Sequence, residues 1–594
     1  MIPTIFISVI QFMRMGISEK TETIPLAFWE ILSNQLKHPI TTAISIASEP
    51  QIRSTTLILI GVLLLLLWLR FWDMWKRFRQ HKVEDASDYG AYDTSKWAEG
   101  KDVVKSDDFI TDIKDDKKFG SLIGKTLDTK EFIIRKSDSS INAHTFGLAG
   151  SGRGKTTGYI LNQIVLNKHK TTISTDGKGE LYRLTSKLKA AEGFKILYID
   201  FVKFLGDRWN PLSQLNFDEI DNFSTNLVES ADDDSKNVWG SNAINLISAC
   251  IAYVFEVEAK ENQNMVTVRQ LINLSEEDIK QAFEDLPDDS IAKDYFSEVS
   301  ESKDKVWDGI VTTTKSATRF WKQKRIRNFT EVSDFSFTDL GTEKIAMYIR
   351  IHPTDKTYEV LVNTFFKQMF NTLIEEVDQF GGRYPVEINF DLDEFTNAGK
   401  IPSFQGILSF VRALGLNISL FVQDIAQMNL VYGEEDTKSI VANCDNFVFL
   451  GTNESSTTAP FIEKKLGETT KILRDNTGKA KDTDYKDDSL KYTYFKRSLM
   501  SVSEILKLPK ALGVYFHSGC DPLLFAKTYS YELFPELEDA PFAWHIEKES
   551  RENEKRSTSS ISQTVSTKKT DLEDLSNDQE LEIFEENDND FLPY

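Results

Sequence analysis

Hydrophobic and polar positions along this chain follow two periods. Between residues 140 and 530, short apolar runs recur at Thr145–Leu148, Thr172–Thr175, Lys195–Ile199, Ile345–Ile349, Glu387–Leu392, Ile418–Val422, Phe447–Leu450 and Val514–His517. Stretches with apolar residues at helical spacing lie between them. Runs that are apolar on both faces, alternating with amphipathic helices, predict strands of a mainly parallel sheet covered on two sides. One stretch breaks this rhythm. From about Asn216 to Asp334 only the helical period is present, which predicts an all-α insertion between two strands. The polar run Asn476–Lys491 predicts an exposed loop.

The two ends differ from this middle. Ser54 to Leu69 is free of charge and bounded by Arg53 and Arg70. Its length as a helix, roughly 24 Å, falls a little short of a hydrocarbon core of about 30 Å. Snorkelling by the two arginines and anchoring by Trp68 and Trp72 close that gap, so a span over about 54–72 is expected. Arg70, Lys76, Arg77, Arg79 and Lys82 follow, against Asp73 alone, which predicts that the rest of the chain faces the cytoplasm. Ile2 to Met13 is a second, weaker candidate within residues 2–15. At the other end, residues 570–594 hold ten Asp or Glu and no Lys or Arg, after a Ser/Thr-rich stretch. Such a tail buries too little apolar surface to offset its ordering entropy, and residues 546–594 are expected to be disordered.

Composition narrows the classes. With 594 residues there is room for about four domains. The net charge of −22 excludes a uniformly basic nucleic-acid binder, so any such site is a local basic surface on an acidic body. Cys250, Cys444 and Cys520 lie too far apart in sequence for a metal knuckle and support no disulfide framework, which fits a reducing compartment.

The strongest chemical motif is Ala149-Gly150-Ser151-Gly152-Arg153-Gly154-Lys155-Thr156, followed by Thr157, between a strand and a helix. It is a P-loop with Ala149 where the general pattern has its first glycine. The later glycines matter more, because they turn backbone N–H groups inward around phosphate oxygens at the positive end of a helix. Lys155 then reaches the β- and γ-phosphates, and the Thr156 hydroxyl holds Mg²⁺. A carboxylate is needed on a neighbouring strand, and Val386–Glu394 supplies a strand ending in Asp393-Glu394. Asp393 suits magnesium anchoring and Glu394 the polarisation of attacking water, with Asp391 a substitute on the same face. Ser419–Gln423 is a strand ending in a residue able to sense a γ-phosphate or its water. Arg412, expected on the helix after the acidic pair, is a candidate arginine finger toward a neighbouring subunit's nucleotide. No L-S-G-G-Q is present, and no N-K-x-D guanine reader, which favours ATP.

Several motifs in one order carry a resemblance. LAGSGRGKT, STDGKGELY (174–182), RWNPL (208–212), LDEFTNAGKIPSF (392–404), FVQDIAQMNLVYG (421–433), NCDNFVFLG (443–451) and KKLGETT (464–470) resemble the coupling proteins of type IV secretion and conjugation systems. These are membrane-anchored ATPases that bring DNA to a transfer channel. The resemblance implies an α/β fold: a RecA-like motor at 141–215 and 335–535, a helical domain at 216–334, a membrane anchor at 1–80 and a juxtamembrane segment at 81–140. It implies ATP and Mg²⁺ as cofactors and Lys178 as nucleotide-proximal or channel-facing. The implied partners are single-stranded DNA, relaxase and relaxosome proteins, secretion-channel components and membrane lipid, with six subunits around a channel. Within the helical stretch, Lys315, Arg319, Lys322, Lys324, Arg325 and Arg327 occur without any acid, interleaved with Phe320 and Trp321. Cations that neutralise phosphates beside rings that stack on bases predict contact with nucleic acid. Two rival readings are a septal chromosome-translocating ATPase and a relaxosome receptor that uses nucleotide only as a clamp.

Overall fold

The computed structural model describes residues 83–139, 141–229, 238–300, 305–476, 490–541 and 544–546, together with 37, 62 and 64–72. The second candidate span, most of the loop between Asn476 and Lys491, and the acidic tail lie outside the described residues. In chain order the strands begin with β1 (Val83–Asp85), β2 (Phe109–Ile110), β3 (Phe119–Lys125), β4 (Phe132–Lys136) and β5 (Thr145–Ala149). Next come β6 (Thr171–Thr175), β7 (Lys195–Asp200), β8 (Leu205–Gly206), β9 (Ile345–Arg350), β10 (Ile388–Leu392) and β11 (Leu416–Val422). The last are β12 (Asn446–Gly451), β13 (Glu468–Asn476), β14 (Leu490–Ser498), β15 (Leu512–His517) and β16 (Leu523–Ala526).

The contacts divide the chain into two units. The smaller comprises residues 1–95 and 468–498. There β13 and β14 form a long antiparallel hairpin, and β1 adds to β13. The Thr470 hydroxyl ties the chain beside β1 to this hairpin, donating to Asp93 O and accepting from the Tyr92 and Asp93 amides. Within the stretch expected to span a membrane, residues 64–72 are helical, and Leu64–Leu67, Trp68, Leu69, Phe71 and Trp72 are all exposed.

The larger unit, residues 96–467 and 499–594, is built on a 13-stranded sheet ordered β2-β4-β3-β16-β15-β12-β5-β11-β10-β6-β9-β7-β8. From β12 to β7 the strands run parallel, and β5, β6 and β12 are buried at every position, as a sheet covered on both faces requires. The other half is antiparallel, so the sheet is mixed. Residues 109–136, within the segment expected to be juxtamembrane, carry β2, β3 and β4 of this sheet.

Between β8 and β9 the described residues are helical from 217 to 330 apart from short turns. Trp239–Val257 passes a length-and-hydropathy test for a membrane span, yet 56% of that window is buried. Ala243, Leu246, Ile247, Cys250, Ile251 and Val254 are all closed off by neighbouring helices. It is a core helix. The core beneath runs without a break into the sheet, where Phe201 meets Trp209, Phe329 and Phe365 edge to face.

Candidate active site

Parallel strands point their C-terminal ends to one edge of the sheet, and the P-loop lies there. Central β5 feeds it, paired with β11 on one side and β12 on the other. Gly152 and Gly154 adopt φ of +70° and +80°, the left-handed conformation that turns successive amides inward. Ala149 is still part of β5 and buried, so its methyl group does not crowd the loop. The Gly150 amide donates to Gly451 O at 2.9 Å. Ser151 is exposed at the loop tip and Thr157 is half-buried in the first turn. That turn, Thr156–Ile160, is a wide π turn that runs on as the α-helix Leu161–Leu166.

Arg153 points away from the loop. Its guanidinium is buried and donates to Leu508 O, Thr452 O and Asn453 Oδ1. Its carbonyl accepts from Lys527 Nζ at 2.8 Å, and the same ammonium donates to Leu450 O at 2.6 Å. Burial, with the Arg153 charge adding, pushes Lys527 down to about 7. The loop is thus braced from below by a residue that the sequence motif does not contain.

Two strands from β5, β10 ends at the carboxylate pair. Lys155 Nζ lies 2.5 Å from Asp393 Oδ1 and 3.7 Å from Glu394 Oε1, and the Thr156 hydroxyl donates to Asp393 Oδ2 at 3.1 Å. The Thr175 hydroxyl, at the end of β6, pins Asp393 O at 2.6 Å. Burial raises the Asp393 carboxyl above its ordinary range against the pull of Lys155. Glu394 has φ of +50°, a left-handed conformation costing a non-glycine residue roughly 1–2 kcal/mol. Its carboxylate is clamped: Gln423 Nε2 donates to Oε1 at 3.2 Å and Asn397 Nδ2 to Oε2 at 2.9 Å. The Gly177–Lys178 turn runs beside it, since a Cβ on Gly177 would stand 3.6 Å from Glu394 Oε2, and Lys178 is exposed. Asp176 accepts from the Glu180 and Tyr182 amides, capping helix Glu180–Ala191, and burial pushes it up to about 6.

Lys155, Thr156, Asp393, Glu394 and Gln423 therefore converge. Lys155 Nζ and Asp393 Oδ1 are buried and paired by charge without a well-formed hydrogen bond. Beside inward-facing amides, an ammonium, a hydroxyl and a carboxylate make a donor set that fits a triphosphate with a divalent cation.

Three sequence expectations change. Asp391 is closed off within β10, and burial pushes its carboxyl up to about 7, which disfavours the charged form that a substitute metal ligand needs. Arg412 lies not on a helix but in the turn after Phe404–Phe410, just before β11, where it adds to the charges disfavouring protonation of His144. That is the edge of the sheet opposite its own P-loop. Phe320 and Trp321 are core residues, the indole donating to Thr330 Oγ1, and are closed to base stacking. Arg319, Lys322, Lys324, Arg325 and Arg327 are exposed and Lys315 half-buried. Arg325 is also held by the Tyr358 hydroxyl at 2.8 Å.

A P-loop on a central parallel strand, with a carboxylate pair two strands away, defines a P-loop nucleotide-binding protein. The family described as type IV secretory system conjugative DNA transfer matches residues 87–573, and the chain belongs to it. A conjugal transfer protein TraG of Escherichia coli is 24% identical over 462 residues, covering 70% of this chain and 71% of that one. VirD4 of Rhizobium radiobacter is 23% identical over 441 residues, covering 69% and 60%. Across the curated relatives this chain matches, the alignments span between 50% and 71% of their lengths. Among solved structures, the plasmid coupling protein TrwB in complex with ADP and Mg²⁺ shares the fold, with a TM-score of 0.53 at 12% identity over 73% of this chain and 94% of that one.

Proposed function

We propose that this chain is a membrane-anchored ATPase that recruits relaxase-bound single-stranded DNA and couples ATP hydrolysis to its delivery into a secretion channel. The observation that carries the reading is the convergence of Lys155, Thr156, Asp393, Glu394 and Gln423 at one lip of the sheet. The glycine amides and Lys155 bind the phosphates, and Thr156 with Asp393 would hold magnesium. A bound magnesium ion would neutralise charge on the triphosphate oxygens. Glu394 takes the proton of the attacking water, its carboxylate aimed by Asn397 and Gln423. Gln423, which touches that carboxylate, relays the state of the site into β11. The position of Arg412 at the far edge supports action on a neighbouring subunit within a hexamer.

The rest of the reading extends this core. The exposed apolar helix at 64–72 supports an anchor at 1–80 in the inner membrane, with one span at about 54–72, a second at 2–15 and the bulk of the chain cytoplasmic. Residues 216–334 serve as the recognition domain. In that domain Arg319, Lys322, Lys324 and Arg327 offer cations to a phosphate backbone without the stacking first expected. Replacing Lys322, Lys324 and Arg327 with Gln is expected to lower the slope of log affinity for single-stranded DNA against log salt by about 2. An unchanged slope removes this surface from the reading. The central test is DNA-stimulated ATP turnover by the full chain in detergent, expected to vanish in Lys155→Ala and Glu394→Gln. Undiminished DNA transfer by those two variants in cells would leave the clamp-only receptor as the better account.

A further inference from the structure

The direction in which a nucleotide must lie can be read from the two sides of the P-loop. On the β11–β10 side stand Gln423, Asp393 and Glu394, the groups suited to a terminal phosphate. The sugar and base must therefore leave the loop on the other side, toward β12, β15 and β16. On that side the chain after β16 brings Tyr529 against the loop itself. A Cβ on Gly154 would stand 2.9 Å from Tyr529 Cε1, and one on Gly158 3.6 Å from the same ring. The Tyr529 hydroxyl donates to Lys510 O at 3.1 Å, so the ring is fixed at both ends. Tyr531 stacks on it, with centroids 5.3 Å apart and planes 10° from parallel, and is itself 61% exposed.

An aromatic ring left this open, on a rigid partner seated on the phosphate loop, is otherwise unexplained. Nothing in the packing of β16 or the helix Ser530–Leu533 requires Tyr531 to be aromatic. We infer that Tyr529 and Tyr531 form the platform for the purine ring of the bound nucleoside triphosphate, with Tyr529 as the fixed base and Tyr531 as the contact face. Aromatic rings hold bases through their π-faces, and loss of one such stack weakens binding on the order of tenfold. Gly154 acquires a second purpose here, since a side chain at that position would press on Tyr529.

This inference rests on the phosphate reading of the P-loop, and the experiment separates the two. The full-length protein in detergent is titrated with Mg-ATP and with Mg-tripolyphosphate, which carries the phosphates without sugar or base. Tyr531→Ala is expected to weaken ATP binding about tenfold and leave tripolyphosphate unchanged, whereas Tyr531→Phe keeps both. Equal ATP affinity in Tyr531→Ala and the parent overturns the platform. So does a parallel loss of both ligands, which would make Tyr531 a support of the loop. If the parent binds neither ligand, the phosphate reading fails and the platform falls with it.

Discussion

The two edges of the central sheet are built from the same strands and solve opposite problems. At the C-terminal edge, Lys155, Asp393 and Glu394 are brought together with one carboxylate on a left-handed backbone. At the N-terminal edge the starts of β6 and β10 are joined by the Lys170–Glu387 ion pair at 2.7 Å, and around β5, β11 and β12 neutral side chains hold the strands. Asn446 donates to Asn142 O and His144 O and accepts from the Tyr515 hydroxyl at 2.7 Å. His144 accepts from the Ile418 amide at 3.0 Å, and burial pushes it down to about 4, so it is uncharged at neutral pH. Neutral hydrogen bonds fix the starts of β5, β11 and β12 and the end of β15, whereas the opposite edge gathers an ammonium and two carboxylates around one loop. Rigidity at one edge is what permits strain at the other.

The sharpest way to break this contrast is at Glu394. Glu394→Gln is expected to lower ATP turnover at least hundredfold and leave nucleotide affinity within a few-fold, measured by steady-state hydrolysis and by titration. Arg412→Ala probes the opposite edge, where the exposed arginine stands away from its own P-loop. Turnover is expected to fall about hundredfold or more without loss of stability, and mixing Arg412→Ala with Lys155→Ala chains should restore part of it. No recovery on mixing would confine that edge to a structural role. Asn446→Ala should do the reverse, costing about 2–3 kcal/mol in denaturant unfolding through orphaned carbonyls, with turnover per folded molecule retained.

A smaller effect belongs to Asp391. Its folded pKa of about 7 lies above the unfolded 3.8, so the neutral carboxyl's contribution is fully present below about pH 4 and is lost as pH rises through about 7. The parent Tm should fall over that range, and Asp391→Asn should flatten part of the slope by a few degrees, seen in thermal scans from pH 5 to 8. Asp176, pushed up to about 6, leaves a residual slope of the same sign.

All eight apolar runs singled out in the sequence contain strands of the sheet, because strands buried on both faces leave continuous apolar signatures. The added strands β2–β4 and the hairpin β13–β14 were not legible. Two-residue β2 is too short to show a period, and the β13–β14 hairpin is built largely of polar residues. The P-loop and carboxylate pair were visible because chemistry fixes their spacing. Asn397, Thr175, Lys527 and the tyrosine pair act through space rather than spacing, so only the fold brings them in. In 315–327, charge drew the eye to Phe320 and Trp321. Both rings sit in a short 3-10 turn, Arg319–Lys322, between two helices, and their burial comes from the tertiary packing rather than from any period in the sequence.

The bond from Lys527 to the carbonyl of Arg153 crosses 374 residues of chain. During synthesis the phosphate loop leaves the ribosome long before the lysine that holds it in shape. A nascent chain stopped anywhere short of residue 527 carries the motif without its brace. The final shape of the phosphate loop is therefore set late, when nearly the whole polypeptide has been made.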